Sequence, residues 1–395
     1  MNGMRKRLIF HYVRIYSKIL SSCLDTFGIG IWFFYYLVKV PVKLIYINTS
    51  LFLDKVFFPR YRRVKIENPV FIIGHPRSAT TFLHELLTPT GEFLVFKDWE
   101  LNHPSLTMRK FLQHSKMLRI LFSFISDLRF SPYRIITKFR KKNRVVKGGS
   151  VQDYTQNLEL IAQEEELLFL HILDTQFLTL ETPLGFVERG YPELCFNDDQ
   201  PHQERSVLFL KDCFKRQIYY TGKKQVIAKM NFSLLRIKTL FKVFPDAKII
   251  YLTRSPLETI PSHFSLHLRL LDRQFGLDNI PSDKLQQYLK NRYQYNIQFY
   301  KYFEKLMNNN EIPKDQILEI NYDSLKNDLF NVVHKIKHFT NLQFSHELDY
   351  IVKKQHEKQP SYKRKHKNLP LEAFHLTEEG IKADFDFVFK RYRFT

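Results

Sequence analysis

A short apolar run, Val70-Phe71-Ile72-Ile73, stands between Pro69 and Gly74, and Ser78 to Leu87 follows with Phe82, Leu83, Leu86 and Leu87 on one helical face. No other stretch limits the fold as tightly. An apolar run of this length, bounded by proline and glycine, reads as a buried parallel strand. Strand, glycine turn and helix in that order make a phosphate-binding unit. The first N–H groups of the helix have no partner inside it, and its dipole favours an anion there.

A second unit of the same kind lies downstream. Ser233 to Phe244 reads as a helix, Lys248-Ile249-Ile250-Tyr251-Leu252 as a buried strand, and Pro256 opens another helix at its first position. Ile317 to Ile320 reads as a further strand. Alternating strands and helices predict an α/β fold: a P-loop-like parallel sheet of about four or five strands with helices on both faces. Val70 to Ile73 and Lys248 to Leu252 are expected at its centre. The chain divides at a charged connector, Arg60 to Pro69, into an apolar and basic helical region (1–66) and a main domain (67–395). Within the latter, 98–225 reads as a mainly helical insertion on the acceptor side, including a long helix over Leu158 to Leu180.

The loop Gly74-His75-Pro76-Arg77-Ser78-Ala79-Thr80-Thr81 carries the first anion site. Ser78, Thr80 and Thr81 offer hydroxyl donors, and Arg77 a fixed charge with a bidentate fork. Set against the nucleotide-triphosphatase pattern GxxxxGK[ST], Ala79 takes the second glycine's place and Thr80 the lysine's. The lysine that reaches β- and γ-phosphates is missing, so the loop suits a shorter phosphate group without a triphosphate–magnesium complex. The second anion site is Arg254, at the carboxyl end of its strand, with Ser262 eight residues later on the following helix. Lys and Arg total 61 against 40 acids, a formal charge of +21, which favours anionic partners without choosing among them. The three cysteines, Cys23, Cys195 and Cys213, lie far apart and form no CxxC, which speaks against a zinc site or a disulfide framework.

Together the two sites resemble the motifs of the sulfotransferase superfamily that uses 3′-phosphoadenosine 5′-phosphosulfate (PAPS). The first loop resembles the 5′-phosphosulfate loop PRSGTT with Ala79 for glycine, and the second resembles the 3′-phosphate motif. Phe244-Pro245-Asp246-Ala247-Lys248, Trp99-Glu100 (as in a bacterial-type branch), Asn321-Tyr322-Asp323-Ser324-Leu325 and Arg391-Tyr392-Arg393-Phe394 agree with other family segments. The resemblance covers about Pro69 to Phe394. It implies sulfuryl transfer from PAPS, as donor, to an acceptor hydroxyl, with no metal and no nucleic-acid partner. Arg77 would bind the bridging oxygen and stabilise the leaving phosphate, as Arg does in tyrosylprotein sulfotransferases. Ser78, Ala79, Thr80 and Thr81 would hold the 5′-phosphate, Arg254 and Ser262 the 3′-phosphate, and Tyr322 would lie against the nucleotide. Glu100 is the expected base. Lys229 would stabilise charge on the moving sulfuryl group. His75 is read as shaping the turn, His84 as packing or facing solvent, and Glu164 and Glu165, which resemble an acidic pair in the substrate helices of the same branch, as helix surface. The glycine-rich C-terminal phosphate motif of cytosolic members is absent, and Lys363-Arg364-Lys365-His366-Lys367 could stand in for it; Lys138 to Lys147 is a second basic run. Two other functions compete: a P-loop-like nucleotide phosphotransferase, and a non-enzymatic basic protein binding membrane or nucleic acid.

In the N-terminal region, Phe27 to Val38 is the most apolar stretch, and Lys39, Pro41 and Lys43 interrupt its continuation. With Lys and Arg at its edges it reads as an interfacial segment rather than a spanning helix or signal peptide. That reading predicts a cytoplasmic protein held peripherally on the inner face of an anionic membrane, with an apolar acceptor arriving from the bilayer. The alternative is helices packed over the domain.

Overall fold

A computed structural model describes residues 2–129, 131–133, 160–187, 203–359 and 367–394. Lys138 to Lys147 and Lys363 to His366 therefore lie outside the described residues. Four strands, β1 (Val70–Gly74), β2 (Ile227–Lys229), β3 (Lys248–Thr253) and β4 (Ile317–Asn321), form one parallel sheet in the order β2-β1-β3-β4. Both expected central strands are central, and adjacent. Their side chains alternate between two cores. Val70, Ile72, Ile250 and Leu252 pack with α3 (Thr80–Leu87) and α12 (Leu329–Thr340). Phe71, Ile73, Ile249 and Tyr251 pack on the other face with α7 (Gln203–Thr221), α8 (Ile237–Val243) and α10 (Ser282–Asn308). Strands covered on both faces need apolar residues at successive positions, which is why these runs are unbroken. At Gly74 a Cβ would lie 2.4 Å from the Leu252 carbonyl oxygen, so only glycine lets β1 and β3 approach at the sheet's carboxyl edge.

The N-terminal region is a helical hairpin, α1 (Asn2–Phe27) and α2 (Ile31–Phe57), reversed at Gly28 with φ 67°. One face of it joins a third core: Ile15, Ile19, Trp32, Tyr36 and Val40 pack with Ile260, Phe264 and Phe275 of α9 (Pro256–Phe275) and with Tyr288 of α10. α2 runs through Pro41. Pro41 has no N–H for the Leu37 carbonyl, and the Tyr16 hydroxyl of α1 donates to that carbonyl instead, at 2.8 Å. The expected helix over Leu158 to Leu180 is corrected. Glu164 is extended, a 3₁₀ helix covers Glu165–His171, and Leu173 at φ 52° breaks the chain before a single turn at Leu178–Glu181. The short helices α5 (Leu106–Leu112) and α6 (Lys116–Ser126) pack against α2, and α4 (Asp98–Asn102) packs against α6.

Candidate active site

The loop after β1 turns through two left-handed residues, Arg77 (φ 78°) and Ala79 (φ 71°), before α3 begins at Thr80. Such residues cost about 1–2 kcal/mol each for a side chain with a Cβ, so the surroundings must hold the loop in place. His75 does so from beneath. It is fully buried, its Nδ1 pairs with the Pro76 carbonyl at 2.8 Å, and its Nε2 with the Asn296 carboxamide at 2.9 Å. The ring stacks on Tyr300 at 5.0 Å. Burial pushes its pKa down to about 4, although both hydrogen bonds oppose that shift, so His75 is a neutral strut. This agrees with its expected role in the turn.

Two charged side chains converge on the loop. Arg77 is exposed, and its Nε donates to Ser262 Oγ at 2.9 Å. Arg254, at the end of β3, donates from Nη1 to the Arg77 carbonyl at 3.2 Å. Its guanidinium lies over the Tyr322 ring at 3.8 Å, and its Nε and Nη2 reach the Glu258 carboxylate. The Tyr300 hydroxyl donates to the Arg254 carbonyl at 3.4 Å. Arg77, Ser78, Ala79, Thr80, Thr81, Arg254, Ser262 and Tyr322 therefore share one rim at the carboxyl edge of the sheet, where parallel α/β sheets bind ligands.

Lys229 reaches the same rim from β2: its Nζ donates to Thr81 Oγ1 at 2.8 Å and pairs with Glu164 Oε2 at 3.0 Å. Glu164, Glu165 and Glu166 are buried, not helix surface. Each carboxylate accepts a backbone N–H from the end of β2 or the segment after it, from Asn231, Lys229 and Phe232 respectively. Burial raises the pKa of Glu164 even though Lys229 lowers it. His84 is buried beside Glu165 at 3.4 Å, so it packs. Glu100 is placed differently from Glu164. Its Oε2 accepts from the Lys97 backbone N–H at 2.8 Å, closing the first turn of α4, and from Gln217 Nε2 of α7 at 2.9 Å. Its contacts tie it to its own helix cap and to α7. Among the described residues, no group of three or more His, Cys, Asp or Glu side chains could hold a metal ion.

Several partners in this site had escaped the sequence reading. Glu258, four residues after Arg254 on a helix, carried a readable signal as an i,i+4 pair. Asn296 and Tyr300 sit on α10, far away in sequence, and carried none. The Arg391-Tyr392-Arg393-Phe394 ending is a clasp rather than part of the rim. Arg391 and Tyr392 bind Glu319 of β4 at 2.7 Å and 2.6 Å.

Comparison with known proteins agrees with this geometry. The family profile described as "Sulfotransferase family" matches residues 69–346. The omega-hydroxy-beta-dihydromenaquinone-9 sulfotransferases Stf3 of Mycobacterium bovis and Mycobacterium tuberculosis are each 27% identical over 290 residues, 71% of this chain. The chain spans 62% of the length of these curated relatives. Among solved structures, sulfotransferase STF1 from Mycobacterium tuberculosis H37Rv and sulfotransferase STF9 from Mycobacterium avium superpose with TM-scores of 0.65 at 16% identity. Each pairing covers 95% of this chain and 91% of the other, which establishes a shared fold. With most of the parallel-sheet domain matched, this chain belongs to the sulfotransferase family.

Proposed function

We propose that the protein transfers the sulfuryl group of PAPS to a hydroxyl of a lipid-like acceptor. The carrying observation is the joining of the two anion sites through Arg77, Ser262 and Arg254 on one rim. In this reading the loop from Ser78 to Thr81 holds the 5′-phosphate, Arg254 and Ser262 hold the 3′-phosphate, and Tyr322 supports the Arg254 guanidinium from below. The new bond joins the acceptor oxygen to sulfur as the bond from sulfur to the bridging phosphate oxygen breaks. Arg77 stabilises charge on that leaving oxygen, and the product is adenosine 3′,5′-bisphosphate. Lys229 offsets charge on the sulfuryl group in flight. For the proton of the acceptor hydroxyl we favour Glu164 over Glu100. Glu164 is in contact with Lys229 on the rim, and burial raises its pKa above the ordinary carboxylate value, whereas Glu100 is occupied by its helix cap and Gln217.

A lipid acceptor is supported by the relatives, whose name gives a hydroxylated menaquinone as their acceptor. Family membership disfavours the phosphotransferase and the non-enzymatic alternatives. The test is transfer of labelled sulfate from PAPS to a hydroxylated isoprenoid quinone in detergent. Label in the quinone fraction with wild type and not with Arg77→Ala supports the proposal, and equal label with both rejects it.

A further inference from the structure

We propose that the outer face of the α1–α2 hairpin, extended by α6, is a docking surface for an anionic lipid bilayer, on which the enzyme lies with α2 in the plane of the membrane. This rests on the surface itself; the lipid acceptor proposed above gives it a purpose without carrying it.

α2 has two opposed stripes. Trp32, Tyr36, Val40, Ile47 and Asp54 face inward and are buried. Phe34, Val38, Val42, Ile45, Phe52 and Val56, spaced by threes, fours and a seven, face outward and are 42% to 67% exposed. That is an apolar stripe about 30 Å long at 1.5 Å per residue, left exposed among the described residues. α6 widens the panel. It lies beside α2, with Lys39 donating to the Phe124 carbonyl and Phe122 against Tyr46. It turns Met117 and Leu121 outward, 79% and 56% exposed. On the other side α1 is fastened by the Tyr16 hydroxyl on Leu37, and exposes Ile9, Phe10 and Val13. Contiguous exposed apolar area of this size marks an interaction site.

Charge names the partner. Between residues 2 and 53 the only acid is Asp25, and none occurs between 106 and 126, so the panel presents essentially no carboxylate to a partner. Exposed Lys55, Arg60, Arg62 and Arg63 lie at the far end of α2, and Lys110 and Lys116 flank α6. Apolar side chains framed by cations suit a surface with anionic headgroups above hydrocarbon.

α2 is long and apolar enough to cross a bilayer, but its inward stripe holds it in the plane. Lys43 is buried and donates to the Ser126 carbonyl. Asp54 is buried and accepts from Arg216 Nε at 2.8 Å, from Ser105 Oγ at 2.7 Å and from the backbone N–H groups of Leu106 and Thr107. A spanning orientation would strip both charges of these partners and leave them in hydrocarbon, which is costly.

The test is flotation of the full chain with vesicles of phosphatidylglycerol and phosphatidylcholine (1:3), set beside vesicles of phosphatidylcholine alone. Wild type should float with the anionic vesicles and less as salt is raised. Val38→Asp with Ile45→Asp should reduce the floated fraction at least tenfold, and Phe34→Ser with Phe52→Ser should reduce it without adding charge. Both variants should keep wild-type melting and wild-type affinity for adenosine 3′,5′-bisphosphate, which separates this inference from the donor reading. Wild type remaining at the bottom of the gradient overturns the proposal, as does a folded variant that floats like wild type. A concentration-dependent dimer abolished by these substitutions, with no flotation, would assign the face to a second copy and equally overturn it.

Discussion

Arg77 Nε donates to Ser262 Oγ at 2.9 Å across 185 residues of sequence, so the loop after β1 and the Arg254–Ser262 motif form one hydrogen-bonded unit. Arg254 closes the unit from the other side by bonding the Arg77 carbonyl. Substitutions in either motif should therefore be felt in both. Each charge-assisted contact to a phosphate contributes ~1.5–3 kcal/mol, and 1.4 kcal/mol is tenfold. Arg254→Ala should weaken adenosine 3′,5′-bisphosphate binding roughly ten- to a hundredfold. Ser262→Ala should lower affinity less, yet also slow turnover, because it releases Arg77. Calorimetric titration and steady-state rates together check this, and a Ser262→Ala enzyme with unchanged turnover would separate the motifs.

Glu164→Gln should reduce turnover by ~10²–10⁴, the usual effect of losing a general base, with bisphosphate affinity nearly intact. Burial raises the Glu164 pKa above the ordinary carboxylate value. The ionised form is the base, so activity should climb with pH through that raised pKa and fall as pH drops below it. Glu100→Gln should instead lower melting temperature through its helix cap and Gln217. Full activity in Glu164→Gln with loss in Glu100→Gln would reverse the assignment.

Ala79 sits where a left-handed residue starts α3. Glycine there would avoid ~1–2 kcal/mol of backbone strain and give back ~0.4–1 kcal/mol through a more flexible unfolded chain. Ala79→Gly should leave stability and bisphosphate binding equal or improved, whereas Ala79→Val should impair both, since a β-branched residue adopts this conformation poorly. Thermal melts with and without bisphosphate give the comparison. A marked loss in Ala79→Gly would mean that the methyl group itself packs the loop.

Glu181 is buried near Asp127, and burial pushes its pKa up to about 8. The unfolded chain ionises this group near 4.5, whereas the fold keeps it protonated until about 8. Its contribution therefore worsens as pH rises between those values, by at most ~1.4 kcal/mol per pH unit. Glu181→Gln should raise the melting temperature, more at pH 8 than at pH 5. Equal gains at both pH values would show that the carboxyl is ionised in the fold.

The placement of the two motifs was legible in the sequence because it is local: strand, turn and helix follow within a dozen residues, and Ser262 stands eight residues after Arg254 on the following helix. Glu164, Glu165 and Glu166 were not. Glu164 and Glu165 resemble an acidic pair of the family but read more readily as helix surface, because the backbone N–H groups that all three acids bind lie some 65 residues away at the end of β2 and just after it and carry no side-chain signature. The break at Leu173 was hidden for a related reason, since leucine seldom adopts positive φ and tertiary packing imposed it. Nor does the sequence show how α2 continues through Pro41, where the Tyr16 hydroxyl of another helix takes the Leu37 carbonyl.

The most direct test of the account is calorimetric titration of the full chain with adenosine 3′,5′-bisphosphate in the presence of a metal chelator, beside titration with ATP and magnesium. The account predicts saturable one-to-one binding of the bisphosphate without metal, weakened at least tenfold in Arg254→Ala, and weak binding of ATP–magnesium. No saturable bisphosphate binding, or ATP–magnesium bound as tightly, would contradict it.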